Sequence, residues 1–70
     1  MNGNLKLLTA PDWSMAPKNF TWFAIDEDGD GFFYEDKPIR KMVFFIGKFS
    51  EWAGTFDATD WKNSLQKRPE

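Results

Sequence analysis

Asp26, Asp28 and Asp30 alternate along one short stretch, and Gly31 follows them. Carboxylates at the first, third and fifth positions with glycine at the sixth open a calcium-binding loop. A hard divalent ion wants several oxygens, and the glycine lets the chain turn sharply around it. Phe33 stands where such loops carry an apolar residue. The template then breaks. Its twelfth position, which should supply a bidentate glutamate, is Lys37, and Pro38 follows, where a helix would have to leave the loop. The favoured reading is a wet acidic turn, with calcium held by Asp26, Asp28 and Asp30 as the lesser alternative. Six of the 11 acids (Asp26, Glu27, Asp28, Asp30, Glu35, Asp36) fall within residues 26–36. A focused negative patch steers a basic partner surface. Asp26, Glu27, Asp28 and Asp30, with the aromatics Phe32, Tyr34 and Trp52, are therefore the expected partner-binding residues.

Other chemistry is sparse. The chain has no Cys and no His, so it holds no disulfide framework, no thiol nucleophile, no Ser-His dyad and no imidazole ligand. A carboxylate pair such as Asp26 with Glu35 does acid–base work only with a substrate cleft between its members, and a sheet of this size offers little cleft. No enzyme activity and no cofactor are expected. Nine Lys and Arg against 11 Asp and Glu leave a net charge of −2. That balance argues against a nucleic-acid binder, which needs a basic face, and supports a nucleic-acid mimic only weakly. The longest apolar run, Met42–Ile46, is five residues, far short of the roughly 20 of a membrane-spanning helix. Residues 1–4 show no basic region leading into an apolar stretch, so no secretory leader is expected.

Something must position these groups, and 70 residues allow one domain. A chain this short buries only about 60% of its unfolded surface. Eight Phe, four Trp and one Tyr, 19% of the sequence, take the place of disulfides as the source of core area. Thirteen rings exceed what so small a core easily covers, so two or three are expected on a partner or self-association surface.

The aromatic and β-branched run 20–25, the acidic Asp-Gly turn and the run 32–35 predict a β-hairpin. Alternation sets Phe20, Trp22 and Ala24 on one face and Thr21, Phe23 and Ile25 on the other. Both faces then need cover, from the chain ends or from another copy. Residues 41–49 read as a third strand with Gly47 as a bulge or bend, and 50–55 as a loop or a turn into a short fourth strand. Residues 11–17, bounded by Pro11 and Pro17, read as an ordered turn anchored by Trp13, with Asp12 or Ser14 bonding nearby backbone. Residues 1–10 are a loose arm or an edge strand. The tail from Asp57 predicts a two-turn helix capped by Asp57 or Thr59, docked by Trp61 and Leu65 and stopped by Pro69. Trp13 and Trp61 are expected to pack on each other against one sheet face. The expected class is mainly β (α+β): a small antiparallel sheet of three to four strands with a short C-terminal helix.

Three stretches carry a resemblance. They are Asp12-Trp13-Ser14-Met15-Ala16-Pro17; the hairpin from Trp22 through Asp26-Glu27-Asp28-Gly29 to Tyr34-Glu35-Asp36-Lys37-Pro38; and Asp60-Trp61-Lys62-Asn63-Ser64-Leu65-Gln66-Lys67-Arg68-Pro69. In this order and spacing the chain resembles a group of small proteins encoded by tailed bacteriophages and prophages, over residues 12–69. Residues 41–49 are more apolar than that pattern, as a buried strand or an oligomer face would be. The resemblance implies a compact fold, a viral origin and a place in the host cell cytoplasm. The expected function is a small interaction module for a host or phage protein, one that modulates host machinery or defence. The alternatives are a self-assembling homo-oligomer and a calcium-binding hairpin.

Overall fold

The computed structural model describes residues 7–70. Strands β1 (Trp22–Ile25) and β2 (Asp30–Tyr34) form the expected antiparallel hairpin, with Trp22 opposite Tyr34 and Phe23 opposite Phe33. The turn between them closes through Gly29 N–H to Asp26 O and Asp26 N–H to Asp30 O, both 2.9 Å. Gly29 has φ +94°, the left-handed conformation that an Asp-Gly pair supplies. The second Asp-Gly pair serves another purpose. Gly31 lies within β2, and a Cβ there would come within 2.5 Å of the Phe56 ring.

The short strands β3 (Ile39–Arg40) and β4 (Phe45–Ile46) make a separate antiparallel ribbon. Strand β5 (Ser50–Thr55) pairs with β2, and β6 (Gln66–Lys67) with β1. The main sheet is thus four-stranded, in the order β5-β2-β1-β6, beside the two-stranded β3-β4 ribbon. The long strand expected over 41–49 is cut to the two residues of β4. The chain bends at 42–44, where Lys41 N–H reaches back 2.7 Å to Phe44 O. The sheet partner of β2 comes instead from 50–55, the stretch read as a loop or short strand.

The C-terminal helix is not formed. The tail makes a single 3-10 turn, Trp61–Asn63, and then enters β6. Asp57 does bond Thr59, its Oδ1 accepting from the Thr59 backbone N–H at 2.9 Å and from Oγ1 at 2.6 Å. That turn feeds a docked segment rather than a helix. The Ser64 hydroxyl accounts for the change. It accepts the Ile25 N–H at 2.8 Å and donates to Trp61 O at 2.6 Å. Strand β6 pairs only with Trp22 and Phe23, so buried Ser64 takes over the hydrogen bonding of β1 where β6 leaves off. A helical tail would strand those groups.

Both faces of β1 are covered, as its two-sided apolar pattern requires. Phe23, Ala24 and Ile25 are all buried. On the Phe23 side, Trp13 packs 6.3 Å from Phe23 and 5.4 Å from Phe33, and Phe56 lies 4.9 Å from Phe23 between ring centroids. On the Tyr34 side, residues 45–47 lie over the sheet. Tyr34 donates to Phe45 O at 3.2 Å, and Trp61 meets the Phe45 ring edge-on at 6.0 Å. Trp13 and Trp61 therefore pin opposite faces and do not pack on each other.

The 3-10 turn Trp13–Met15 is the predicted ordered turn, with Asp12 Oδ1 accepting from Ser14 N–H at 3.0 Å and from Ser14 Oγ at 2.6 Å. Arg68 ties it to the tail, donating to Trp13 O at 3.0 Å, Pro17 O at 2.9 Å and Phe20 O at 3.2 Å. Of the arm or edge strand read over 1–10, residues 1–6 lie outside the described residues. Residues 7–10 form no strand, though Leu8 O accepts the Asp57 N–H at 2.9 Å.

Candidate protein-interaction surface

The seven residues read as a partner site divide into supports and surface. Asp26 and Tyr34 are supports. Asp26 Oδ1 accepts the Phe45 N–H at 2.8 Å while the Tyr34 hydroxyl donates to Phe45 O. Together they hold both backbone polar groups of Phe45. Burial, the largest influence, raises the pKa of Asp26. The Phe45 N–H pulls it back, and the charges of Asp28 and Asp30 raise it further. Burial, with the Asp26 charge, pushes the Tyr34 hydroxyl up, so Tyr34 stays protonated and remains a donor. Phe32 is half-buried beside the Tyr34 ring at 6.4 Å.

Glu27, Asp28 and Trp52 face solvent. Asp28 Oδ1 accepts the Asp30 N–H at 3.0 Å, and Asp30 Oδ1 accepts Trp52 Nε1–H at 3.3 Å. The carboxylates of Asp26, Asp28 and Asp30 thus each serve a different protein donor. No three metal-ligating side chains gather among the described residues.

A larger surface lies where the sequence reading had placed a strand. Folding the β3-β4 ribbon turns only Phe45 inward. Ile39, Met42, Val43, Phe44 and Ile46 project outward, Met42 with 88% of its surface exposed, and Phe49 joins them. Isolated exposed hydrophobics are ordinary, but six within eleven residues of one hairpin single this segment out. The same segment is cationic. Lys37, Arg40, Lys41 and Lys48 all fall within residues 37–50, and no Asp or Glu does. The Lys48 ammonium sits 5.7 Å from the Phe49 ring. The basic residues of this segment are therefore clustered. The signal was present in that acid-free run, directly after the acid-rich stretch 26–36.

The acidic turn is fastened to this hairpin. Glu27 N–H donates to Val43 O at 3.0 Å, next to the Asp26–Phe45 bond. Exposed Glu27 and Asp28 therefore stand beside the exposed tip of the hairpin.

Elsewhere, a shallow cleft of about 460 Å³ is lined by Thr9, Ala10, Ile25, Asp57, Asp60 and Ser64, among others. Its two carboxylates are engaged by Thr59 and by Asn63 Nδ2, at 2.9 Å from Asp60 Oδ1. No described helix is long and apolar enough to cross a membrane. No family model, curated protein or solved structure matches the chain.

Proposed function

We propose that the chain is a non-enzymatic protein-interaction module whose contact surface is the hairpin of residues 39–49. The observation that carries this reading is the outward display of Ile39, Met42, Val43, Phe44, Ile46 and Phe49 by a ribbon whose only buried apolar side chain is Phe45. A fold that spends Asp26 and Tyr34 on holding this ribbon in place presents it deliberately. The absence of His and Cys, and carboxylates already bonded within the protein, favour binding over catalysis. The resemblance to small phage-encoded proteins supports a host or phage protein as partner and the host cell cytoplasm as the place of action.

The test compares the wild type with Met42→Asp as immobilised baits in bacterial lysate. Met42 is nearly fully exposed, so the variant should fold normally. A specific partner retained by the wild type and lost by Met42→Asp is the expected result. Equal capture by both baits would move the site away from the hairpin. A second contact area has its own support. Strand β5 is an edge of the main sheet, with no described strand on its outer side, and it carries exposed Trp52 oriented by Asp30. Such an edge invites strand addition.

A further inference from the structure

A small cavity of about 150 Å³ lies where the β3-β4 ribbon meets the main sheet. The sheet lines it with Phe32, Tyr34 and Ser50, the ribbon with Phe45 and Ile46, and the β1–β2 turn with Asp26. It is separate from the hairpin patch, with which it shares only Ile46. Its chemistry is one-sided. Three polar side chains line it, and each keeps the capacity to accept a hydrogen bond. Asp26 spends Oδ1 on the Phe45 N–H, and among the described residues no donor reaches its other oxygen. The Tyr34 hydroxyl gives its one proton to Phe45 O, which leaves its oxygen as an acceptor. The Ser50 hydroxyl is a third acceptor. No Lys or Arg stands among the described residues that line the cavity. The charges that act on Asp26 come from Asp28 and Asp30, and both are negative. Burial raises its pKa for want of a counter-charge.

We infer that this cavity receives the head of a primary alkylammonium ion, either a free amine or a lysine side chain. The N–H groups of that ion are the donors that Asp26, Tyr34 and Ser50 lack, and its charge offsets that of the half-buried carboxylate. The rest of the lining is apolar and suits the alkyl stem, and aromatic rings such as Phe32 and Phe45 favour a cation. A neutral guest leaves the Asp26 charge without a partner, and an anion is repelled by it. A hard metal ion wants several carboxylate or carbonyl oxygens, and no three metal-ligating side chains gather among the described residues.

The experiment follows backbone amide NMR signals while n-butylammonium chloride is titrated into the wild type at about pH 7, at constant ionic strength. The signals of Asp26, Gly47 and Ser50, which all line the cavity, should move together and saturate in the millimolar range. n-Butanol has the same stem without the charge, and it should bind about tenfold more weakly or worse. Asp26→Asn keeps an acceptor for the Phe45 N–H and removes the charge, so it should weaken n-butylammonium binding by a similar factor. Its amide spectrum checks that it is folded. A second titration with doubly capped lysine separates the sources. Tighter binding than n-butylammonium assigns the site to a lysine of a polypeptide, and weaker binding assigns it to a free amine. A wild type whose cavity signals do not saturate with either amine overturns the site. Equal binding of n-butanol, which needs no variant to observe, overturns recognition by charge and leaves an apolar crevice. Equal binding by folded Asp26→Asn shows that the carboxylate is not the recognising group and overturns it as well.

Discussion

Asp26 shows how one residue changes meaning between sequence and structure. In the sequence it is the first ligand of a calcium-like loop; in the fold it is an acceptor for the Phe45 backbone. Residue type and spacing gave the turn correctly, including the positive φ at Gly29. They could not reveal Phe45, nineteen residues away, as the group the carboxylate serves. The raised pKa of Asp26 has a stability consequence. The folded state holds this proton more tightly than the unfolded chain, whose value is near 3.8. Asp26 therefore contributes stability below 3.8 that is lost as pH rises through its raised folded value. Asp12 and Asp57, lowered chiefly by Ser14 and Thr59, act in the opposite sense. Asp26→Asn keeps an acceptor for the Phe45 N–H and removes the buried charge. Relative to the wild type, its urea midpoint should rise as pH increases from about 4 to about 7. A constant offset between the two proteins across that range would show that Asp26 does not titrate in a perturbed site.

At the scale of elements, the β1–β2 hairpin and the Trp13 turn were legible because both are local. Their turn residues and their hydrophobic runs agree. The tail and the 41–49 stretch were not, because distant partners decided them. Spacing at Trp61 and Leu65 suits a helix, but Ser64 bonds Ile25 across 39 positions and Gln66–Lys67 completes the sheet edge. The apolar run 41–49 suits a strand, yet Lys41 closes back on Phe44 and Gly47 abuts the Tyr34 ring, which a Cβ at that position would meet at 2.5 Å. Trp61 belongs to this level, as the side chain that docks the tail against Phe45. Truncation to Ala should cost about 3–5 kcal/mol, a large part of the roughly 5–15 kcal/mol that holds a domain together. Thermal melting checks this: the midpoint should fall by about 12–40 °C, and a midpoint within a few degrees of wild type would mean that Trp61 docks nothing.

For the molecule as a whole, the Trp13 turn, the β1–β2 hairpin and the tail from Asp60 to Pro69 are the framing. The opening turn and the closing Arg68 bond each other, Ser64 completes β1, and the acidic turn secures the ribbon. The candidate interaction surface lies in the segment between the hairpin and the tail. Arg68 is the strongest link between the chain ends, since one planar guanidinium reaches Trp13 O, Pro17 O and Phe20 O and lies 5.7 Å from the Trp13 ring. Lysine has no such fork. Arg68→Lys should therefore destabilise the protein by about 1–3 kcal/mol, read as a lower urea midpoint. An unchanged midpoint would assign the clasp to the Arg68 backbone bond with Thr21 alone.

The Arg68 clasp also sets an order of events during synthesis. Phe20 is synthesised 48 residues ahead of the guanidinium that will secure it, a delay of about 2–10 s at roughly 5–20 residues per second. A β-hairpin forms in about 1–10 μs, so β1 and β2 pair before the long-range bonds of β6, Trp61 and Arg68 close over them. Until then the aromatic face of the hairpin is open to solvent, and docking of the tail is the step that closes the fold.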